Sequence, residues 1–307
     1  MDAAGNLYGS SPYGGSGSCF GGCGGVFEVS PSGTGWTETL LHDFSGGTDG
    51  FDPGGGVIFD QQGNLFGTAG NGGSTTEPGQ ATAQGLIFEL TPAGDGTWTK
   101  NTIYTFVSSG VAPSFPRGRL TFDGSGNLYG VTFGGAGTVF KLTNTSTGWK
   151  HSTLYTFCSL ANCADGISPQ GGLTLRGGNL YGVTYTGGMG GGSCDGGCGV
   201  VYEVSHSGGS WHQNVLYSFT GGADGGQLYG VPAVDAAGNV YGSAFWGGET
   251  NQGVVWEVSP VTGGWQETVL HSFHGYSVDG AFPSSSVIVR NGIVFGGSPL
   301  NIFEIKP

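Results

Sequence analysis

One phrase recurs six times along the 307 residues and restricts the fold more than any other feature: Gly5-Asn6-Leu7-Tyr8-Gly9, Gly63-Asn64-Leu65-Phe66-Gly67, residues 126–130, residues 178–182, Gly238-Asn239-Val240-Tyr241-Gly242 and a degraded Gly292-Ile293-Val294-Phe295-Gly296. The closing glycines lie 58, 63, 52, 60 and 54 residues apart. A period of that length holds one four-stranded sheet, and units that cannot bury their apolar faces alone must stack on their neighbours. With 68 Gly and 13 Pro the chain would otherwise read as low-complexity disorder, but the glycines fall at fixed places between aromatic and β-branched runs. They read as turns.

Each period carries four strand signals, here A to D. A is a short apolar run ending in Asp, as in Val57-Ile58-Phe59-Asp60 or Leu120-Thr121-Phe122-Asp123. B is the Asn-Leu-Tyr-Gly phrase. C begins at Val26, Ile87, Val139, Val201, Val255 and Ile302; D begins at Trp36, Trp98, Trp149, Trp211 and Trp265 and ends in pairs such as His42-Asp43-Phe44 and Tyr217-Ser218-Phe219. Period-2 alternation and the absence of a helical stripe make the class all-β. Radial closure is the stacking that also shields sheet edges, so a β-propeller of four-stranded blades is expected over residues 1–307 as one domain. There are six B, six C, five A and five D signals. That count favours six blades with an incomplete seam over five blades and a surplus hairpin.

Eight Lys and Arg against a formal charge of −13 leave no basic patch for nucleic acid, and no apolar run is long enough to span a membrane. Residues 1–5 do not read as a signal peptide, so the sequence is expected to be a mature region cut from its leader. Six cysteines fall in close pairs, Cys19 with Cys23, Cys158 with Cys163 and Cys194 with Cys198. Zinc is the rival reading, but the spacings lack the two-residue knuckle, and local disulfides suit a low-charge exported chain.

The phrases Gly-Asn-Leu-Tyr-Gly, Gly134-Gly135-Ala136-Gly137-Thr138-Val139-Phe140-Lys141-Leu142 and Phe44-Ser45-Gly46-Gly47-Thr48-Asp49-Gly50 resemble the tandem GloVer repeats of choice-of-anchor bacterial surface proteins. The resemblance covers essentially the whole chain. It implies a secreted or cell-surface location and supplies no catalytic residue. The A-turn-B segment is also similar to NHL-type propellers, at the level of fold.

If A is innermost, the B-C and D-A connections share one face. B-C connections vary from 5 to 19 residues, whereas C to the D-strand Trp takes six or seven, so the B-C/D-A face is expected to be the functional one. It would present Tyr13, Phe20, Phe133, Tyr185, Phe245 and Trp246 from B-C loops and Phe51, Phe115 and Phe282 from D-A loops. Such rings either pack over the blade tops or stack on sugars. Tyr13, Phe133, Tyr185, Phe245 and Trp246 are the candidate ligand-binding set.

An Asp-Gly recurs in the D-A loops at Asp49, Asp165, Asp224 and Asp279. These carboxylates could ring a calcium ion or accept hydrogen bonds from their own turns, and repetition favours the turn. No other cofactor is indicated. Residues that break the symmetry are Arg117, Arg119, Arg176, Arg290, Glu77 and Glu249; Glu77 with Glu249 is the one pair that could act as glycosidase carboxylates. His42 and His271 occupy a strand position that is Tyr elsewhere and read as strand residues. The resulting expectation is non-catalytic binding of an extracellular glycan or similar polymer. A polysaccharide hydrolase or lyase is the alternative, and a surface-layer or filament subunit that self-associates through its seam strands is the third.

Overall fold

The computed structural model describes residues 1–73, 83–107, 113–189 and 194–306. They form six antiparallel sheets, the blades of a six-bladed β-propeller, and no α-helix occurs among them. The first blade is β1 (Leu7–Ser11), β2 (Gly25–Ser32) and β3 (Gly35–Asp43). The second is β4 (Val57–Phe59), β5 (Leu65–Ala69), β6 (Ala83–Pro92) and β7 (Trp98–Val107). The third is β8 (Pro116–Phe122), β9 (Leu128–Thr132), β10 (Thr138–Thr145) and β11 (Gly148–Thr156). The fourth runs β12 (Ile167–Pro169), β13 (Thr174–Arg176), β14 (Asn179–Thr186), β15 (Val200–Ser207) and β16 (Ser210–Ser218), its A strand broken into two pieces that both pair with β14. The fifth is β17 (Ala233–Val234), β18 (Val240–Ala244), β19 (Val254–Val261) and β20 (Gly264–Ser272), and the sixth is β21 (Ile288–Arg290), β22 (Ile293–Gly297) and β23 (Ile302–Ile305). Strands A to D follow one another in space as in sequence, and among the described residues the first blade has no A strand and the sixth no D strand, as the strand count predicts.

The chain divides into two compact units, Met1–Gly135 with Phe140–Ser152, and Ala136–Val139 with Thr153–Pro307. In the first, Val26, Leu41 and Phe44 of one blade meet Leu65, Phe88 and Leu90 of the next, and Ile58, Ile87 and Phe106 meet Leu120, Phe140 and Leu142 in turn. In the second, Val201, Leu216 and Phe219 face Val240, Val254 and Trp256, and Tyr241, Val255 and Phe273 face Val287 and Val294. The apolar face of each sheet is thus buried against its neighbour.

Two repeat residues have a shared packing role. The phenylalanine ending D contacts the C-strand aromatic of the following blade, with centroids 4.9 to 5.4 Å apart for Phe44–Phe88, Phe106–Phe140, Phe157–Tyr202, Phe219–Trp256 and Phe273–Phe303. The closing glycine of B lies under that same ring: a Cβ on Gly67, Gly182 or Gly242 would stand within 3.0 Å of Phe88, Tyr202 or Trp256. Glycine is therefore required by space, not by a turn. A β-bulge recurs where C meets D, adding Leu41, Ile103, Leu216 or Leu270 to the D strand. A bulge bends its strand and re-aims the residues beyond it, here the aromatic pair.

Candidate functional site

The D-A loops carry a backbone feature that the sequence reading did not find. Asp52, Phe115, Ser168, Gln227 and Phe282, one per connection into an A strand and Ser168 within the short β12, all have φ between 53 and 63°. Four of them precede a proline, Gln227 being the exception. Each N–H donates to a carbonyl just before or at the start of the preceding blade's C strand: Asp52 to Cys23 at 3.2 Å, Phe115 to Gln84 at 2.6 Å, Ser168 to Ala136 at 2.9 Å, Gln227 to Cys198 at 2.8 Å and Phe282 to Gln252 at 2.7 Å. Left-handed backbone in a non-glycine residue costs on the order of 1–3 kcal/mol and persists only where surrounding contacts impose it. The signal available in the sequence was the repeated x-Pro of Asp52-Pro53, Phe115-Pro116, Ser168-Pro169 and Phe282-Pro283.

In the first unit this geometry sets Asp52 against Arg117, 3.7 Å apart, with the Asn71 amide donating to the same carboxylate at 3.2 Å. Burial pushes the Asp52 carboxyl above its ordinary value, against the pull of Arg117 and Asn71. The Arg117 guanidinium lies 5.2 Å from the centre of the Phe133 ring, and its buried Nε has no partner among the described residues. Tyr13 and Phe20 are exposed on the β1–β2 loop, whereas Phe51 packs into the core between the first two blades. Glu77 lies outside the described residues.

In the second unit β14, whose end carries Tyr185 expected on a B-C loop, and the loops that carry five further rings bring six rings into one chain. Tyr185 meets Tyr229 at 5.0 Å, Tyr229 meets Phe245 at 5.5 Å, and Phe245 meets Trp246 at 5.2 Å and Phe282 at 5.1 Å. Trp246 contacts Phe282 edge-on at 4.7 Å, and Tyr276 closes the series at 5.8 Å from Phe282. Trp246 and Tyr276 are exposed and the other four half-buried. Three of the expected binding residues, Tyr185, Phe245 and Trp246, are therefore assembled together with Phe282; Tyr229 and Tyr276 were missed. Glu249 is exposed and pairs with His274 at 3.6 Å.

The Asp-Gly carboxylates are engaged by their own turns. Asp49 accepts from the Ser45 N–H at 2.9 Å and is 3.1 Å from His42 Nε2 and 3.0 Å from Lys100 Nζ. Asp165 accepts from the Tyr155 hydroxyl at 2.6 Å and the Ser159 N–H at 2.9 Å, and Asp224 from the Tyr217 hydroxyl at 3.2 Å and the Thr220 N–H at 2.8 Å. Asp279 accepts from the His274 N–H at 2.7 Å and lies 3.0 Å from His271 Nε2. Although burial opposes the charge, these donors hold Asp49, Asp165 and Asp279 below the ordinary carboxylate value. His42 and His271 are strand residues that hold the turn as tyrosine does in other repeats. Among the described residues no group of three or more His, Cys, Asp and Glu is arranged to ligate a metal.

All three disulfides form. Cys19–Cys23 and Cys194–Cys198 close equivalent B-C loops, and Cys158–Cys163 closes the D-A loop after β11. Among the described residues no helix is long and apolar enough to cross a membrane.

With six repeats, six blades and their interlocking residues established, the comparison that decides the family is direct: the Gloeobacter/Verrucomicrobia repeat model matches residues 74–299. The chain belongs to the Gloeobacter/Verrucomicrobia repeat family. Comparison with curated proteins returns no match. Among solved structures, this Gloeobacter/Verrucomicrobia repeat chain is similar to a luciferin-regenerating enzyme, at 13% identity and a TM-score of 0.52 over 92% of this chain and 84% of that one. It is likewise similar to an ulvan lyase of polysaccharide lyase family PL25, at 10% identity and a TM-score of 0.56 over 100% of this chain and 79% of that one. The same lyase bound to -[GlcA(1-4)Rha3S]- gives 0.55 over the same shares. At these identities the likeness is one of fold.

Proposed function

We propose that this chain is an extracellular, non-catalytic glycan-binding protein and that its polymer lies along the aromatic chain from Tyr185 to Tyr276. The observation that carries the reading is the continuity of the six rings, which form a partly exposed apolar track on loops otherwise rich in Gly, Ser and Thr. A sugar ring stacks on such faces while its hydroxyls reach polar neighbours. The ulvan lyase shows that a fold of this kind accommodates a polysaccharide. The strongly acidic chain disfavours a polyanionic glycan, and three disulfides suit an oxidising exterior.

A glycan array followed by titration of the best hit tests this. Trp246→Ala removes an exposed ring of the track and weakens binding with little change in melting temperature. Trp265→Ala removes a ring packed against the core between the fourth and fifth blades. Because that ring is half-buried, the change destabilises the fold by roughly 1–3 kcal/mol. Equal melting losses for the two variants, with binding untouched, would refute the track. One observation favours a lyase or hydrolase instead: Arg117 with its unpartnered Nε against Asp52. Turnover of a polysaccharide that is abolished by Arg117→Ala would establish that reading.

A further inference from the structure

The A-B turns, at the opposite strand ends from the B-C loops, repeat a polar clamp. In the first, third and fifth blades one oxygen of Asp2, Asp123 or Asp235 accepts two turn N–H groups, and the other accepts the Asn side-chain amide and a tyrosine hydroxyl. Those hydroxyls belong to Tyr8, Tyr129 and Tyr241, at 3.0, 3.1 and 3.1 Å. The fourth blade has Arg176 and Gly177 in its turn, and there Asn179 and Tyr181 donate to Glu203 instead, at 2.6 and 2.7 Å. In the second blade Asp60 keeps the Gln62 and Asn64 N–H groups and the Asn64 amide, but the fourth donor is absent because the residue is Phe66.

A cleft of about 630 Å³ opens at that place, between the second and third blades and within the first unit. This volume is within the range of roughly 300–1,000 Å³ usual for small-molecule sites. Phe66 and Phe122 meet edge to face at 5.2 Å in its wall, and Trp149 stands 6.0 Å from Phe66. Around these rings lie Gln61, Gln62, Asn144 and the carboxylates of Asp60, Glu89 and Asp123. No lining residue is basic. Glu89 makes no side-chain hydrogen bond among the described residues, whereas Glu28, Glu203 and Glu257 at the same repeat position accept from Ser30, from Asn179 and Tyr181, and from Ser259.

We propose that this cleft is a second ligand site, distinct from the aromatic track, that takes an uncharged sugar unit whose hydroxyl donates to Asp60 as tyrosine donates to the equivalent Asp in the first, third and fifth blades. The chemistry is set by the lining. Acceptors outnumber donors, so the ligand must bring O–H groups. Aromatic rings offer apolar contact to the C–H face of a pyranose. Three carboxylates without a basic partner repel uronates and sulfated sugars.

Binding is read on the whole chain by NMR, following the Trp149 indole and the Gln61, Gln62 and Asn144 side-chain amides during titration with cellotriose, di-N-acetylchitobiose and digalacturonate. At least one neutral probe shifts these signals and digalacturonate does not. Phe66→Tyr supplies the hydroxyl from the protein itself. It raises the melting temperature, because the new bond closes the clamp, and weakens the neutral probe by about tenfold or more. Trp246→Ala leaves these shifts unchanged, so failure of the aromatic track and failure of this site are told apart. The proposal is overturned if neither neutral probe moves the signals at saturating concentration, if digalacturonate moves them as strongly, or if Phe66→Tyr binds like the parent or melts lower.

Discussion

Two adjacent tyrosines in the fourth blade give stability changes of opposite sign on losing the same atom. Tyr202 on β15 is fully buried, and its hydroxyl has no hydrogen-bond partner among the described residues. Phe27, Phe88, Phe140 and Phe303 stand at the equivalent place, each against the glycine of its own B strand. A buried hydroxyl without a partner costs about 1–3 kcal/mol, and removing it from a ring of otherwise unchanged shape leaves little void. Tyr202→Phe should therefore stabilise the protein by about 1 kcal/mol, which for a chain of this size raises the melting temperature by roughly 2 °C. Tyr181 on β14 is nearly as buried, but its hydroxyl donates to Glu203 at 2.7 Å. A bond to a carboxylate contributes about 1.5–3 kcal/mol; because Glu203 is only half-buried, about 1 kcal/mol is the expected loss for Tyr181→Phe, with a drop of roughly 2 °C. Differential scanning calorimetry with the disulfides intact measures both. A fall in melting temperature for Tyr202→Phe would show that its hydroxyl is satisfied in solution and would refute the reasoning.

Titration of the denatured, unreduced protein with a thiol reagent should find no reactive cysteine; six would contradict both the bonding and the proposed extracellular location. Each bond closes a small loop, so reduction should loosen the loops that carry it more than it unfolds the blades. Glu267 on β20 is pushed up to about 7 by burial and by the neighbouring Asp224. Its folded value is raised, so its contribution to stability is present at low pH and is lost as pH rises through about 7. Thermal melts should fall as pH rises from about 4.5 to about 7, and Glu267→Gln should flatten that fall; an unchanged profile in the variant would exclude Glu267 as its source.

The propeller was legible because the repeat reports local geometry. Period-2 alternation, the Asn-Leu-Tyr-Gly phrase and the Trp-to-Phe run each describe one strand and its immediate neighbours, and six copies reinforce one another. The Asp-Gly turn was legible for the same reason, its partners lying four to six residues away. The candidate sites are made differently. Arg117 reaches Asp52 across 65 positions, Tyr229 reaches Tyr185 across 44, and the cleft between the second and third blades joins Asp60 to Trp149. Such pairs meet only because one sheet packs on the next, and they break the repeat, so no periodic signal marks them. Likewise, the sequence contains Phe66 where four of the other repeats have Tyr, but only the packed blades show that this position faces a cleft. The chain's own pattern determined its strands, turns, disulfides and blade number. Tertiary packing decided which aromatics became a track, which were spent in the core, and where an acceptor lost its donor, because those outcomes depend on surfaces brought together from different repeats.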